Sequence, residues 1–175
     1  MLAYNLAIKF PNMFQGLTLV APFFRHYTDI LDKYKWGYKF FNLVQFYFSI
    51  SSRNTSRPGY AEYFARYAFY FDDPKLQHMT KLSSICFFLD QQKWSRENTD
   101  RQRTPILVIN AKGDQVVKNE ASVELLKQIK NPQNKVVEIA GADHTTISIE
   151  LEYSTKMINE AIAYFDSLIA PVSPY

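Results

Sequence analysis

The chain has 175 residues, 47% of them hydrophobic and 21% charged, with a formal net charge of +3. This suits one globular domain, or a large piece of one, and excludes a disordered chain. The single cysteine, Cys86, excludes an internal disulfide and a cysteine-built zinc site, no basic run is dense enough for nucleic acid, and no apolar stretch reaches the roughly 18 residues of a transmembrane helix.

The first stretch, MLAYNLAIKF, is made of good helix formers and is apolar on nearly every side, which predicts a buried helix. No capping residue precedes it, and Pro11 ends it. It has no basic n-region and no small-residue cleavage site, so it is not a signal peptide. No targeting is read from the chain, and the cytoplasm is the default.

GLTLVAP (16–22) is a short apolar run between Gly16 and Pro22, which predicts a buried strand of a parallel sheet. PILVIN (105–110) and KVVEIA (135–140) predict two more strands. Between these two lies NEASVELLKQIKN (119–131). Its Ala121, Leu125 and Ile129 recur every four residues and Asn119 is a candidate cap, so an amphipathic helix is expected. The last stretch, 150–170, has an apolar stripe of Leu151, Met157, Ile158, Ala161, Ile162, Phe165 and Ile169. It predicts a C-terminal helix packed on the sheet. Strands alternating with helices indicate an α/β fold with about three parallel strands.

Residues 23–104 differ in character. They hold 21 of the 28 aromatic residues and carry thirteen Lys/Arg against eight Asp/Glu. KYKWGYKFFNLVQFYFSI and GYAEYFARYAFYF are expected to be amphipathic helices with aromatic faces, separated by SSRNTSRPG. A small helical subdomain with an aromatic core is the bland reading. A cap whose underside binds an apolar acyl group is the functional one, and the two are compatible. The basic balance allows contact with an anionic membrane surface through this insert, although a solvated surface is the plainer account.

Two residues stand where an open parallel sheet places its chemistry, beyond the carboxyl ends of strands. Asp114 follows PILVIN after AKG; His144 follows KVVEIA after GAD. Alone, an Asp after a glycine is usually a turn residue, and a loop histidine is usually polar surface. Together, on adjacent strands, they suit an acid–base pair. A carboxylate would fix the imidazole tautomer, and the other ring nitrogen would take a proton from a nucleophile. Asp143 is read as an exposed loop carboxylate rather than a second acid. His26 and His78 are read as surface or pocket residues of the insert, and Cys86 as a core residue of an insert helix.

TPILVINAKGDQVV, followed thirty residues after Asp114 by IAGADHTTI, resembles the C-terminal part of α/β-hydrolases. Within them it is most similar to the monoacylglycerol lipase and lysophospholipase group, which is often merged with the serine aminopeptidases. NLAIKFPNMFQGLTLVAPFF resembles the helix after the nucleophile and the next strand, and YFDDPK (70–75) resembles a Tyr-x-x-Asp-Pro segment of that group's cap. The resemblance implies a core of residues 1–22 and 105–175 with a helical cap over 23–104. It implies Asp114 as triad acid, His144 as triad base, an apolar acyl or ester substrate, and no metal or cofactor.

The family's nucleophile motif, G-x-S-x-G, does not occur in the 175 residues, whose five glycines are all far apart. The resemblance would place the serine about four residues ahead of Met1. The expectation is therefore a fragment: the C-terminal portion of a hydrolase, with the N-terminal half of the fold absent and the edge of the GLTLVA strand left open. Two other readings stand beside it. One is another chemistry on the same fold, such as aminopeptidase or epoxide hydrolase. The other is a non-catalytic pseudoenzyme or module that binds a hydrophobic ligand.

Overall fold

A computed structural model gives the fold and describes residues 1–22, 24, 49–51 and 79–169. Contacts divide the chain into two compact units, residues 1–33 with 91–175, and residues 34–90.

In the first unit, strands β1 (Leu17–Val20), β4 (Ile106–Ala111) and β5 (Lys135–Ile139) form a parallel sheet in the order β1-β4-β5. Leu17 lies opposite Ile106, and Leu107 opposite Lys135. All six residues of β4 are buried, as a central parallel strand covered on both faces should be. Side chains alternate between the two faces. Leu17, Leu19, Ile106 and Val108 meet helix α1 (Leu2–Lys9) and helix α3 (Asn119–Gln128) on one face. Leu107, Ile109, Ala111 and Ile139 meet helix α5 (Leu151–Ile169) and the short helix α4 (Thr146–Ile149) on the other. The result is a three-layer α/β/α arrangement with three parallel strands, as the alternating pattern predicts.

Helix α1 departs from its expected all-round burial. Tyr4, Asn5, Ala7 and Ile8 are buried, but Leu2 and Phe10 are exposed. The buried face is partly polar. Asn5 accepts from the Ser95 hydroxyl (2.6 Å) and donates to Gln91 (2.8 Å), and the Tyr4 hydroxyl donates to Thr99 (3.2 Å). These partners lie at the end of helix α2 (Leu82–Glu97) and in the 3-10 turn Thr99–Arg101. So residues 91–104, expected in the insert, pack within the first unit.

The described part of the second unit is an antiparallel pair, β2 (Ser49–Ser51) with β3 (Met79–Lys81), and the start of α2. The stretch expected to be helical through Ile50 therefore ends in a strand, where β-branched Ile50 lies opposite Thr80. The rest of the insert, including YFDDPK, His26 and His78, lies outside the described residues. Cys86 falls in α2. Among the described residues no helix is long and apolar enough to cross a membrane.

The C-terminal stripe divides into two arcs. Tyr153, Met157, Ala161, Tyr164 and Leu168 pack on the sheet, whereas Leu151, Ile158, Ile162 and Ile169 point to solvent. The sheet takes up one arc of about 100°, and the predicted stripe is wider than that.

Candidate active site

Strands β4 and β5 end in register, Ala111 opposite Ile139. Two hydrogen bonds then tie the loops that follow. Lys112 N–H donates to the Ile139 carbonyl (3.1 Å), and Gly113 N–H to the Ala142 carbonyl (2.9 Å). A Cβ on Gly113 would stand 3.0 Å from that carbonyl oxygen, so a glycine allows the loops to approach. The second loop turns at Gly141, whose φ of +83° is the left-handed conformation that glycine tolerates. The Tyr153 ring closes over it: a Cβ there would come within 2.8 Å of the Tyr153 hydroxyl.

Asp114 and His144 meet at this junction. Asp114 Oδ2 lies 2.7 Å from His144 Nδ1. Asp114 Oδ1 accepts from the Val116 and Val117 amides at 2.8 and 2.9 Å. The Asp114 side chain is 0% exposed and that of His144 is 34% exposed. One partner is thus sealed in and the other opens to solvent. Burial by itself pushes the Asp114 carboxyl upward, but the His144 hydrogen bond and the two amides outweigh it and hold the group below its ordinary value of 3.8. A carboxylate ionised at neutral pH has no proton to give, so His144 Nδ1 carries the hydrogen and donates it. Nε2 is left as an acceptor on the more open side of the ring.

The shift has a consequence for stability. A carboxyl whose folded pKa is lowered contributes stability that is fully present above the unfolded value and is lost as pH falls through the folded one. Acid should therefore erode the stability of the wild type more than that of Asp114→Asn, whose amide does not titrate. Urea unfolding from neutral pH to well below about pH 4 measures this. A gap between the two proteins that stays constant over that range would rule out the linkage.

Asp143 is not the exposed carboxylate the sequence suggests. It is half-buried, and its Oδ1 accepts from the Thr145 and Thr146 amides at 2.9 and 2.8 Å. Its own N–H donates to the Thr146 hydroxyl at 2.7 Å. This reciprocal pairing caps the start of α4 and grips the backbone on both sides of His144. The D-x-x-T spacing was legible in the sequence but was not read as a cap. Asp143→Ala should cost about 1 kcal/mol, measured by urea unfolding, while Asp143→Asn, which keeps the acceptor, should cost much less. Equal losses would show that the cap contributes nothing.

Asn119 also has another part than expected. Lys118 is the cap position of α3, and Asn119 donates from Nδ2 to the Ala111 carbonyl at 2.7 Å. The same carbonyl accepts from Asp114 N–H at 3.1 Å. Asn119 therefore anchors the turn that carries Asp114, a long-range contact that helical periodicity does not reveal. Among the described residues no group of three or more His, Cys, Asp or Glu could hold a metal ion.

The chain matches the family model described as serine aminopeptidase, S33, over residues 1–152. No curated protein matches it in sequence. Among solved structures it is similar to a monoacylglycerol lipase of Paleococcus ferrophilus, at 15% identity and a TM-score of 0.72 over 93% of this chain and 63% of that one. It is similar to a soluble variant of monoglyceride lipase from Saccharomyces cerevisiae, at 16% identity and a TM-score of 0.72 over 95% of this chain and 61% of that one. A third, the α/β-hydrolase GrgF from Penicillium sp. sh18, is 11% identical with a TM-score of 0.65 over 95% of this chain and 61% of that one. The chain thus spans less than two thirds of the length of the solved structures it matches. At these identities the likeness is one of fold.

Proposed function

The chain belongs to the serine aminopeptidase S33 family of α/β-hydrolases, and we propose that it is the acid–base part of a serine hydrolase acting on carboxylic esters of lipids. One observation carries the proposal: the 2.7 Å pair of a sealed Asp114 and a solvent-facing His144, beyond the carboxyl ends of adjacent parallel strands.

A serine hydroxyl beside His144 Nε2 would attack the ester carbonyl while Nε2 takes its proton. The Asp114 carboxylate would stabilise the imidazolium that forms and keep the ring in the Nδ1–H tautomer. As the tetrahedral intermediate collapses, Nε2 would return the proton to the leaving alcohol. Water activated by the same nitrogen would then release the acid. The serine is not among the 175 residues in its usual G-x-S-x-G setting, so it would come from polypeptide beyond them. The second unit, residues 34–90, with 17 of the 28 aromatic residues, would be the cap that holds an apolar acyl chain. Two of the structural neighbours are described as lipases of monoglycerides, which favours a monoacylglycerol-like or lysophospholipid-like ester.

The test is to map the 5′ end of the transcript and express the whole reading frame. If the frame supplies G-x-S-x-G ahead of residue 1, the product should hydrolyse p-nitrophenyl esters and lose that activity in His144→Ala. An Asp at the elbow would move the chemistry to epoxides or haloalkanes. A frame that opens at Met1 would favour the pseudoenzyme. The 175 residues alone are expected to release no p-nitrophenol, and a burst abolished by His144→Ala would overturn that.

A further inference from the structure

Strand β4 carries one polar side chain where packing alone would favour an apolar one. Asn110 is wholly buried and shares the face of Ile106 and Val108, which packs against α3. A buried amide is costly unless it is bonded. Its partner is Ser122, also buried, in the first turn of α3. Asn110 Nδ2 donates to Ser122 Oγ at 3.1 Å. The Ser122 hydroxyl has one hydrogen to give, and its shorter contact is with the Asn119 carbonyl, 2.7 Å against 3.3 Å to Asn110 Oδ1. Asn119 in turn donates from Nδ2 to the Ala111 carbonyl at 2.7 Å. The run of hydrogen bonds thus leaves β4 at Asn110 and returns to it at Ala111, the next residue. The peptide bond between those two closes the ring, so the start of α3 and the end of β4 hold each other in register.

Ala111 is also where the turn to Asp114 begins. Its carbonyl accepts from Asp114 N–H at 3.1 Å and so closes the four-residue turn of residues 111–114. The bond from Asn119 is the shorter of the two and uses the second lone pair of the same oxygen. Without it that carbonyl is free to rotate, three residues ahead of a carboxylate that must meet His144 at 2.7 Å. A part in stabilising the helix does not account for Asn119. The cap position of α3 is Lys118, and the Asn119 amide bonds outside the helix, to the one carbonyl that sets the Asp114 turn.

We infer that Asn119 is a positioning residue of the acid–base pair: through the Ala111 carbonyl it sets the contact of Asp114 with His144, and through that contact the tautomer that His144 presents. The inference rests on the reading of these two side chains as acid and base. It adds that their alignment is dictated from α3, by a residue that touches neither of the reacting groups.

Asn119→Asp is the test. The side chain keeps its size, loses its donor and turns an oxygen on the Ala111 carbonyl. An acidic side chain in the first turn of a helix is itself favourable, so a residue that served only α3 would tolerate the change. In the 175-residue protein at mildly alkaline pH, 15N shifts of the His144 ring are expected to move from the Nδ1–H form to a mixture of Nδ1–H and Nε2–H. In the full-length protein, kcat for a p-nitrophenyl ester is expected to fall roughly tenfold to a hundredfold while KM stays within about twofold. An unmoved tautomer, or a kcat within about twofold of wild type, would overturn the inference. A full-length wild type without turnover would overturn the ester-hydrolase reading, and the ring shifts would then decide the inference alone. Circular dichroism checks that the variant folds. Asn119→Ala, which removes the donor without adding charge, replaces it if it does not.

Discussion

If the proposed mechanism holds, Asp114→Asn should lower ester turnover of the full-length protein by about four orders of magnitude, the cost of presenting the base in the wrong tautomer. The asparagine Oδ1 can still accept from the Val116 and Val117 amides, which Asp114 Oδ1 now holds at 2.8 and 2.9 Å. The turn is thereby kept. The atom facing His144 Nδ1 becomes an amide N–H, so Nδ1 must accept and the ring hydrogen moves to Nε2. A nitrogen that already carries a hydrogen cannot take one from serine. Steady-state hydrolysis of a p-nitrophenyl ester gives the rate, and 15N shifts of the His144 ring give the tautomer. Unchanged tautomer with turnover within tenfold of wild type would remove Asp114 from the mechanism. Asp114→Ala is a less clean probe. It leaves the buried Val117 amide without its acceptor, at a cost of about 1–3 kcal/mol.

Leu107→Ala should destabilise the first unit by about 2–5 kcal/mol, a large share of the roughly 5–15 kcal/mol that holds a domain together. Leu107 is wholly buried at the centre of the sheet and packs in the cluster with Ile109, Ala142, Ile147 and Tyr164. Truncation leaves a cavity between strand and helix that neither can readily close, because β4 is bonded on both edges. The same cluster contains Ala142 and Ile147, which flank the His144 loop, so the loss should reach the site as well as the core. Leu151→Ala is the control: its side chain lies in solvent, and the change should stay within about 0.5 kcal/mol. Urea unfolding measures both. A loss below about 1 kcal/mol for Leu107→Ala would mean that the core collapses around the gap.

Strands β1 and β4 were legible as short apolar runs, the pattern that burial in a parallel sheet demands. β5 is of mixed character, with Lys135 and Glu138 exposed at the end of the sheet's order, and was legible from its two valines and Ile139. Leu17–Val20, Ile106–Ala111 and Lys135–Ile139 fall within a residue or two of the predicted runs. The helices between and after them were legible from the same cause, one face of each turned to the sheet. Asp114 and His144 were picked out because both follow strand ends, where a parallel sheet opens its loops on one side.

What the sequence could not settle depends on which face a neighbour covers. Periodicity marks α5 as amphipathic but does not divide its apolar residues between the sheet and the arc that points to solvent. That division is set by where β1 and β5 lie beneath the helix. Asp143 is a different case: its partners, the Thr145 and Thr146 amides and the Thr146 hydroxyl, lie within three residues of it, and the D-x-x-T spacing carries that signal. Asn119 looked like a cap because its side chain's partner, the Ala111 carbonyl, comes from a turn eight residues earlier. The sequence by itself determined the parallel α/β order, through the burial patterns of its elements, and marked Asp114 and His144 as candidates for acid–base chemistry by their place after strand ends. Only the tertiary structure decided that they stand 2.7 Å apart with the carboxylate sealed and the imidazole open, because that geometry rests on the register of β4 with β5 and on two hydrogen bonds between their loops.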